Sequence, residues 1–129
     1  MPIYYTVIEK GKPGVPGGGE KRYYANTITA GETGMDEIVR RIEMNSTMSG
    51  GDIYGVNHAM ADVIAEELAD GQIVRIHGLG SFRVSLSSSG HRTEEEVGNE
   101  SILGTRILYR PGPKLLRMQR SLSFKKVPG

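Results

Sequence analysis

The fold is decided by Ile73 to Leu86, I-V-R-I-H-G-L-G-S-F-R-V-S-L. Ile73, Val74 and Ile76 make a short β-branched run before the glycines. After them, Phe82, Val84 and Leu86 alternate with Ser81, Arg83 and Ser85, which is the period of a strand buried on one face. The stretch predicts two strands joined by a tight turn. Gly78 and Gly80 suit that turn because they reach positive φ and leave no Cβ where backbones crowd. Leu79 between them is held at the tip, away from its own strands. Cover for it from a second copy of the chain or from a helix below would be worth roughly 1.5–3 kcal/mol. A phosphate-binding glycine loop fails on context, because a strand and not a helix follows the second glycine.

Upstream of this stretch the pattern is helical. Thr33 or Gly34 opens a helix that lines Ile38, Val39 and Ile42 on one face and places Asp36 and Glu37 in its first turn, where the helix dipole favours negative charge. Asn45, Ser46 and Thr47 end it. Ser49 followed by Asp52 resembles a capping box, with Asp in place of Glu or Gln. It starts a second helix carrying Ile53, Val56, Met60, Val63, Ile64 and Leu68 on one stripe and ending at Gly71. Gly50 and Gly51 are expected at its fraying end, since glycine inside a helix costs about 1 kcal/mol, and Gly55 to mark close approach of another backbone.

Downstream of Leu86, Ser87 to Thr105 is long and polar, and a strand follows from Arg106 to Tyr109. Arg110, Pro111, Gly112 and Pro113 set up a final helix, Lys114 to Ser121, whose first turn can hold a phosphate on free backbone N–H groups assisted by Lys114. Phe124 to Val127 reads as a terminal strand able to pair with the N-terminal segment. That segment opens with the β-rich run Ile3 to Ile8, passes through the glycine- and proline-filled loop Lys10 to Gly19, expected to be mobile, and returns as Arg22 to Thr29. The two runs form a hairpin or add two strands to the main sheet. Tyr4, Tyr5, Tyr23 and Tyr24 suit cross-strand packing, and stacking on bases is the other use of such aromatics.

At 129 residues, with 37% hydrophobic and 6% aromatic content, the chain has material for one modest core, and a dimer would help it. No apolar run approaches the ~18 residues of a membrane span, and the start M-P-I-Y-Y-T lacks a signal-peptide pattern, so the expected location is cytoplasmic. With no cysteine there is neither disulfide nor thiolate metal site. The net charge of +1 hides a strong asymmetry: residues 33–71 carry two basic and eight acidic side chains. Residues 107–129 carry Arg110, Lys114, Arg117, Arg120, Lys125 and Lys126 with no acid. Such polarity gives one face that attracts phosphate and one that repels it.

His58, His77 and His91 share no ligand spacing such as H-x-x-x-H, so no metal is expected. Ser85, Ser87, Ser88 and Ser89 sit in no G-x-S-x-G elbow and near no evident base, so no catalytic residues are assigned. Neither a cofactor nor a small-molecule substrate is expected, and a small enzyme is the weakest of the functional readings.

The run V-R-I-H-G-L-G-S-F-R-V, preceded by a long amphipathic helix and followed by a polar arm and Y-R-P-G-P-K-L-L, resembles the bacterial histone-like HU and integration host factor family. The likeness extends from about Thr33 to Leu122. It implies an α+β fold with two N-terminal helices, a three-stranded antiparallel sheet bearing a protruding arm, and a C-terminal helix, here extended by two N-terminal strands. The expected division is residues 1–32 as the extension and 33–129 as the HU-like domain. The resemblance further implies a homodimer and non-enzymatic, architectural binding of double-stranded DNA in the bacterial nucleoid; the position of Leu79 at the turn and the apolar stripe of the second helix point to the same dimer, with Leu79, Phe82 and Tyr109 at or near its shared core. Phosphate contacts would come from Arg75, Arg83, Arg92, Arg106, Arg110, Lys114 and Arg117. The alternative is an HU-fold structural or interaction module without strong DNA binding. Residues 87–105 depart from the family's pattern, because they hold no proline or lysine, one arginine and four glutamates, where the family has basic arms tipped by a proline wedge.

Overall fold

The computed structural model describes residues 1–12 and 14–128. Pro13, in the loop expected to be mobile, and Gly129, the last residue of the expected second domain, lie outside the described residues. The described residues form a mixed α+β protein with three α-helices and two three-stranded sheets. It groups into two compact units, Met1–Ile38 with Gln119–Gly129, and Val39–Met118.

In the second unit the turn forms where the glycines place it. Strand β3 (Val74–Ile76) is followed by a turn closed by the Leu79 N–H on the Ile76 carbonyl at 3.1 Å, and then by β4 (Gly80–Ser88). Gly78, at φ 85°, supplies the left-handed third position of this turn. Gly80, at φ 136°, lies so close to the Arg110 carbonyl oxygen that a Cβ there would collide with it. Leu79 closes the turn rather than standing free of it. Its carbonyl accepts the Gly112 N–H at 3.0 Å and the Tyr109 hydroxyl at 2.7 Å, while the residue as a whole stays 47% exposed.

Strand β5 (Ile102–Pro111) pairs antiparallel with β4, so the sheet order is β3-β4-β5. The strand expected at Arg106–Tyr109 therefore starts four residues earlier. Ile102, Leu103 and Thr105 have the side chains of a strand, and Gly104, which reads as a breaker, pairs with Ser87 just before the register shifts between Ser87 and Ser88.

The helices follow their caps. Helix α1 (Met35–Met44) ends where Asn45 Nδ2 and Ser46 Oγ donate to the carbonyls of Arg41 and Ile42. Helix α2 (Gly50–Ala69) starts on Ser49 Oγ, which accepts the Asp52 N–H, and the Gly50 N–H donates to Glu43 Oε2 at 3.1 Å. It ends in a Schellman arrangement, with Gln72 N–H on Glu67 O and Gly71 at φ 78°. Val39, Ile53 and Leu68 are the buried apolar residues among those described, while Val56, Met60 and Val63 on the same predicted stripe are exposed. The close backbone expected at Gly55 is not found in this chain, since nothing lies within 4 Å of its Cβ position. Helix α3 (Pro113–Arg120) has Leu116 N–H on Gly112 O.

In the first unit, β1 (Ile3–Lys10) and β2 (Arg22–Ile28) form an antiparallel hairpin, and β6 (Phe124–Lys126) adds to β1 in parallel, giving the order β2-β1-β6. The two N-terminal strands thus make a separate sheet instead of extending the main one. Lys10 Nζ sits 4.9 Å from the Tyr24 ring centre, across the hairpin. The glycine-rich loop between the strands is tied by Lys12 N–H to Gly18 O and Gly18 N–H to Val15 O. No described helix is long and apolar enough to cross a membrane.

Candidate nucleic-acid interface

The register of the β3-β4-β5 sheet decides which arginines meet. Side chains of directly opposed residues share a face, and alternate residues share it along a strand. Arg75 opposes Ser81, and Ser81 opposes Arg110, so these three form one row across the sheet. The next rows on the same face are Arg83 with Leu108, then Ser85 with Arg106. Four arginines, Arg75, Arg83, Arg106 and Arg110, therefore share one face, where no row contributes a carboxylate. All four are exposed, and none forms an ion pair with a described residue.

Between the first two rows lies an open recess of about 280 Å³, lined by Arg75, Ser81, Arg83, Leu108 and Arg110 among others. A second, shallower recess of about 480 Å³ continues past His77 and Gly80 to Pro111, Gly112 and Pro113, where α3 begins. Arg106 lines a third, beside Ser85, Ser87 and Thr105. Three guanidinium groups around one recess bring together the donor chemistry that suits an oxyanion, since each offers a fork of donors that fits two phosphate oxygens. Lys114 and Arg117 are carried by α3 and line none of these recesses, and Arg92 lies in the loop after β4.

The opposite face of the same sheet carries Val74, Phe82 and Tyr109 in one row and Val84 with Ile107 in the next. Phe82 and Tyr109 pack with ring centres 5.2 Å apart at 42°. The hydrogen bond from the Tyr109 hydroxyl to Leu79 O ties the three residues expected at a dimer core into one local cluster. Ile107 is 67% exposed, so much of this apolar face is uncovered in the single chain.

Sequence reasoning missed a polar cluster between β4 and β5. Ser101, only 2% exposed, has its Oγ 2.8 Å from His91 Nε2 and accepts the Gly98 N–H at 3.1 Å. Ser89 Oγ is 3.3 Å from the same His91 nitrogen, and Glu96 Oε2 lies 3.7 Å from His91 Nδ1. Ser89 N–H also bonds Ser101 O at 2.9 Å. Serine, histidine and glutamate thus stand in the order of a hydrolytic triad, but the serine oxygen is enclosed and already holds a backbone donor. The cluster is a clasp for residues 89–101. A signal was present in the spacing of Ser89, His91 and Ser101, but it follows no helix or strand period and could be read only with the turns in hand. No group of histidine, aspartate and glutamate among the described residues is placed to hold a metal ion.

Three helices, two small sheets and an arginine-bearing sheet face define a small α+β protein of HU type. The chain belongs to the HU-HIG family, whose model describes an HU domain fused to a wHTH, Ig or glycine-rich motif and matches residues 1–126. A crystal structure from Bacteroides vulgatus ATCC 8482, of a protein provisionally named a bacterial DNA binding protein, shares the fold. It has a TM-score of 0.65 and 13% identity over 97% of this chain and 48% of that one. This chain therefore spans about half the length of that protein. No curated protein matches it.

Proposed function

We propose that this chain is a non-enzymatic, architectural DNA-binding module that grips the phosphates of duplex DNA with little regard to sequence and acts as a homodimer in the bacterial nucleoid. The observation that carries this reading is the face shared by Arg75, Arg83, Arg106 and Arg110, free of carboxylates. Membership of an HU family and the name of the Bacteroides vulgatus protein support it. Lys114, Arg117 and Arg92 extend the grip at its margins, the 33–129 segment is the binding domain, and residues 1–32 are an added module. Each phosphate neutralised releases condensed counterions, so the logarithm of affinity should fall linearly with the logarithm of salt, by about 0.9 per phosphate. A gel-shift titration with linear, nicked and four-way duplexes over a range of salt tests this. Steep, sequence-tolerant salt dependence is expected, and absence of binding at low salt would overturn it.

The four glutamates between β4 and β5 favour the other reading, an HU-fold interaction module that has given up DNA. Glu94, Glu95 and Glu96 form a single turn at the far end of the two longest strands, where the arm would meet phosphates. The same titration separates the two.

A further inference from the structure

The hairpin sheet has two outer strands, and they are built differently. Ile3 N–H donates to Ser123 O and Tyr5 O accepts the Val127 N–H, so Ile3 and Tyr5 direct their backbone groups toward β6. Alternation along the strand then turns Tyr4, Thr6, Ile8 and Lys10 toward β2, where they oppose Ile28, Asn26, Tyr24 and Arg22. The remaining β2 residues, Tyr23, Ala25 and Thr27, direct their N–H and C=O groups outward. Among the described residues none of these groups has a backbone partner, and all three residues are exposed, Tyr23 at 72%.

An open edge is a template for pairing, and proteins blunt it with short strands, lysines, prolines or bulges. The β6 edge is blunted: it is three residues long and two of them are Lys125 and Lys126. The β5 edge of the other sheet carries Arg106, Arg110 and Gly104. Strand β2 has none of these devices. It is seven residues long, pairs with β1 without a register shift, and its one charge is Arg22 at the end, 3.7 Å from Glu20.

We propose that β2 is a second self-association surface, pairing antiparallel with β2 of another copy about a two-fold axis at Ala25 to make a continuous six-stranded sheet. About that axis Tyr23 faces Thr27 of the other copy, an aromatic against a β-branched residue, and Ala25 faces Ala25, with each facing pair exchanging both its hydrogen bonds. The charges also select this arrangement. Antiparallel pairing holds the two Arg22 side chains roughly 20 Å apart at ~3.4 Å per residue, whereas parallel pairing in register would set them side by side. Strand β2 belongs to a different sheet from the one that carries the four arginines.

The chain has no cysteine, so Ala25→Cys gives each copy one thiol. Across the axis the facing Cα atoms would be about 5.5 Å apart, within disulfide reach. Mild oxidation of Ala25→Cys at micromolar concentration should produce a cross-linked pair. Tyr23→Cys should not, because its facing residue is Thr27. In light scattering, Ala25→Lys, which opposes two like charges at the axis, should lower the mass of the wild-type assembly. If the HU-type dimer also forms, each dimer carries two β2 edges and the mass falls from four or more chains to two; if it does not, from two chains to one. Equal masses for wild type and Ala25→Lys, with no cross-linking of Ala25→Cys, would overturn β2 pairing, and that common mass would still report on the HU-type dimer separately.

Discussion

At the scale of single residues, the arginine face depends on one glycine. Gly80 opposes Pro111, and its missing Cβ lets the Arg110 carbonyl pass against it. Gly80→Ala should therefore cost at least about 2 kcal/mol, from collision and from a φ that alanine rarely adopts, read as a lowered urea midpoint. It should also weaken DNA binding by displacing Arg110. Arg83→Ala combined with Arg110→Ala leaves the backbone alone and isolates the charges. Duplex affinity should fall about equally for all sequences, and the salt slope should flatten by about 0.9 for each phosphate no longer neutralised. An unchanged slope in titrations at several salt concentrations would exclude this face as the site. Tyr109→Phe removes only the hydroxyl that bonds Leu79 O, a loss of about 1 kcal/mol with DNA affinity held.

At the scale of elements, the part of the fold built from alternation was legible and the part built from irregular backbone was not. Ser81, Arg83 and Ser85 against Phe82, Val84 and Leu86 already separated the two faces of β4, and the ladder to β5 only added which residue opposes which. The start of β5 was hidden by Gly104, whose role in a ladder depends on its neighbour Ser87 and not on its own preference. The clasp around Ser101 was hidden because short 3-10 turns bring together residues at spacings that belong to no regular element. That clasp is testable by itself. Ser101→Ala leaves the Gly98 N–H without its acceptor and should speed amide exchange across 89–101, with a local cost of about 1–3 kcal/mol and little change in the exchange of α2. Residues 87–105 also lack the proline and lysines with which the family's arms wedge and hold a bent duplex. Unstacking a base step costs a few kcal/mol and needs such a hold. Energy transfer between the ends of a labelled duplex should accordingly show little shortening at saturation. Strong shortening that disappears on deleting residues 88–99 would show that the arm bends DNA.

At the scale of the whole molecule, the unit from Val39 to Met118 leaves apolar surface that one copy does not cover. Val56, Met60 and Val63 on α2 and Val84, Leu86 and Ile107 on the sheet are exposed. Burying them at about 25 cal/mol per Å² is the driving force for the proposed homodimer. With β2 blocked by Ala25→Lys, light scattering should still return twice 14.1 kDa, and adding Val56→Glu and Val63→Glu should reduce that to one chain. The parallel pairing of β6 with β1 has a consequence of another kind. Ile3 leaves the ribosome well before its ladder partner Phe124, with the whole of Val39–Met118 between them. At about 5–20 residues per second, β1 and β2 wait some 6–24 seconds for that partner while the whole of Val39–Met118 is made and free to fold. The hairpin is therefore translated before Val39–Met118 but completed after it, and during synthesis its nascent sheet is open along both edges, at the moment when neighbouring ribosomes on the same message hold identical strands close by.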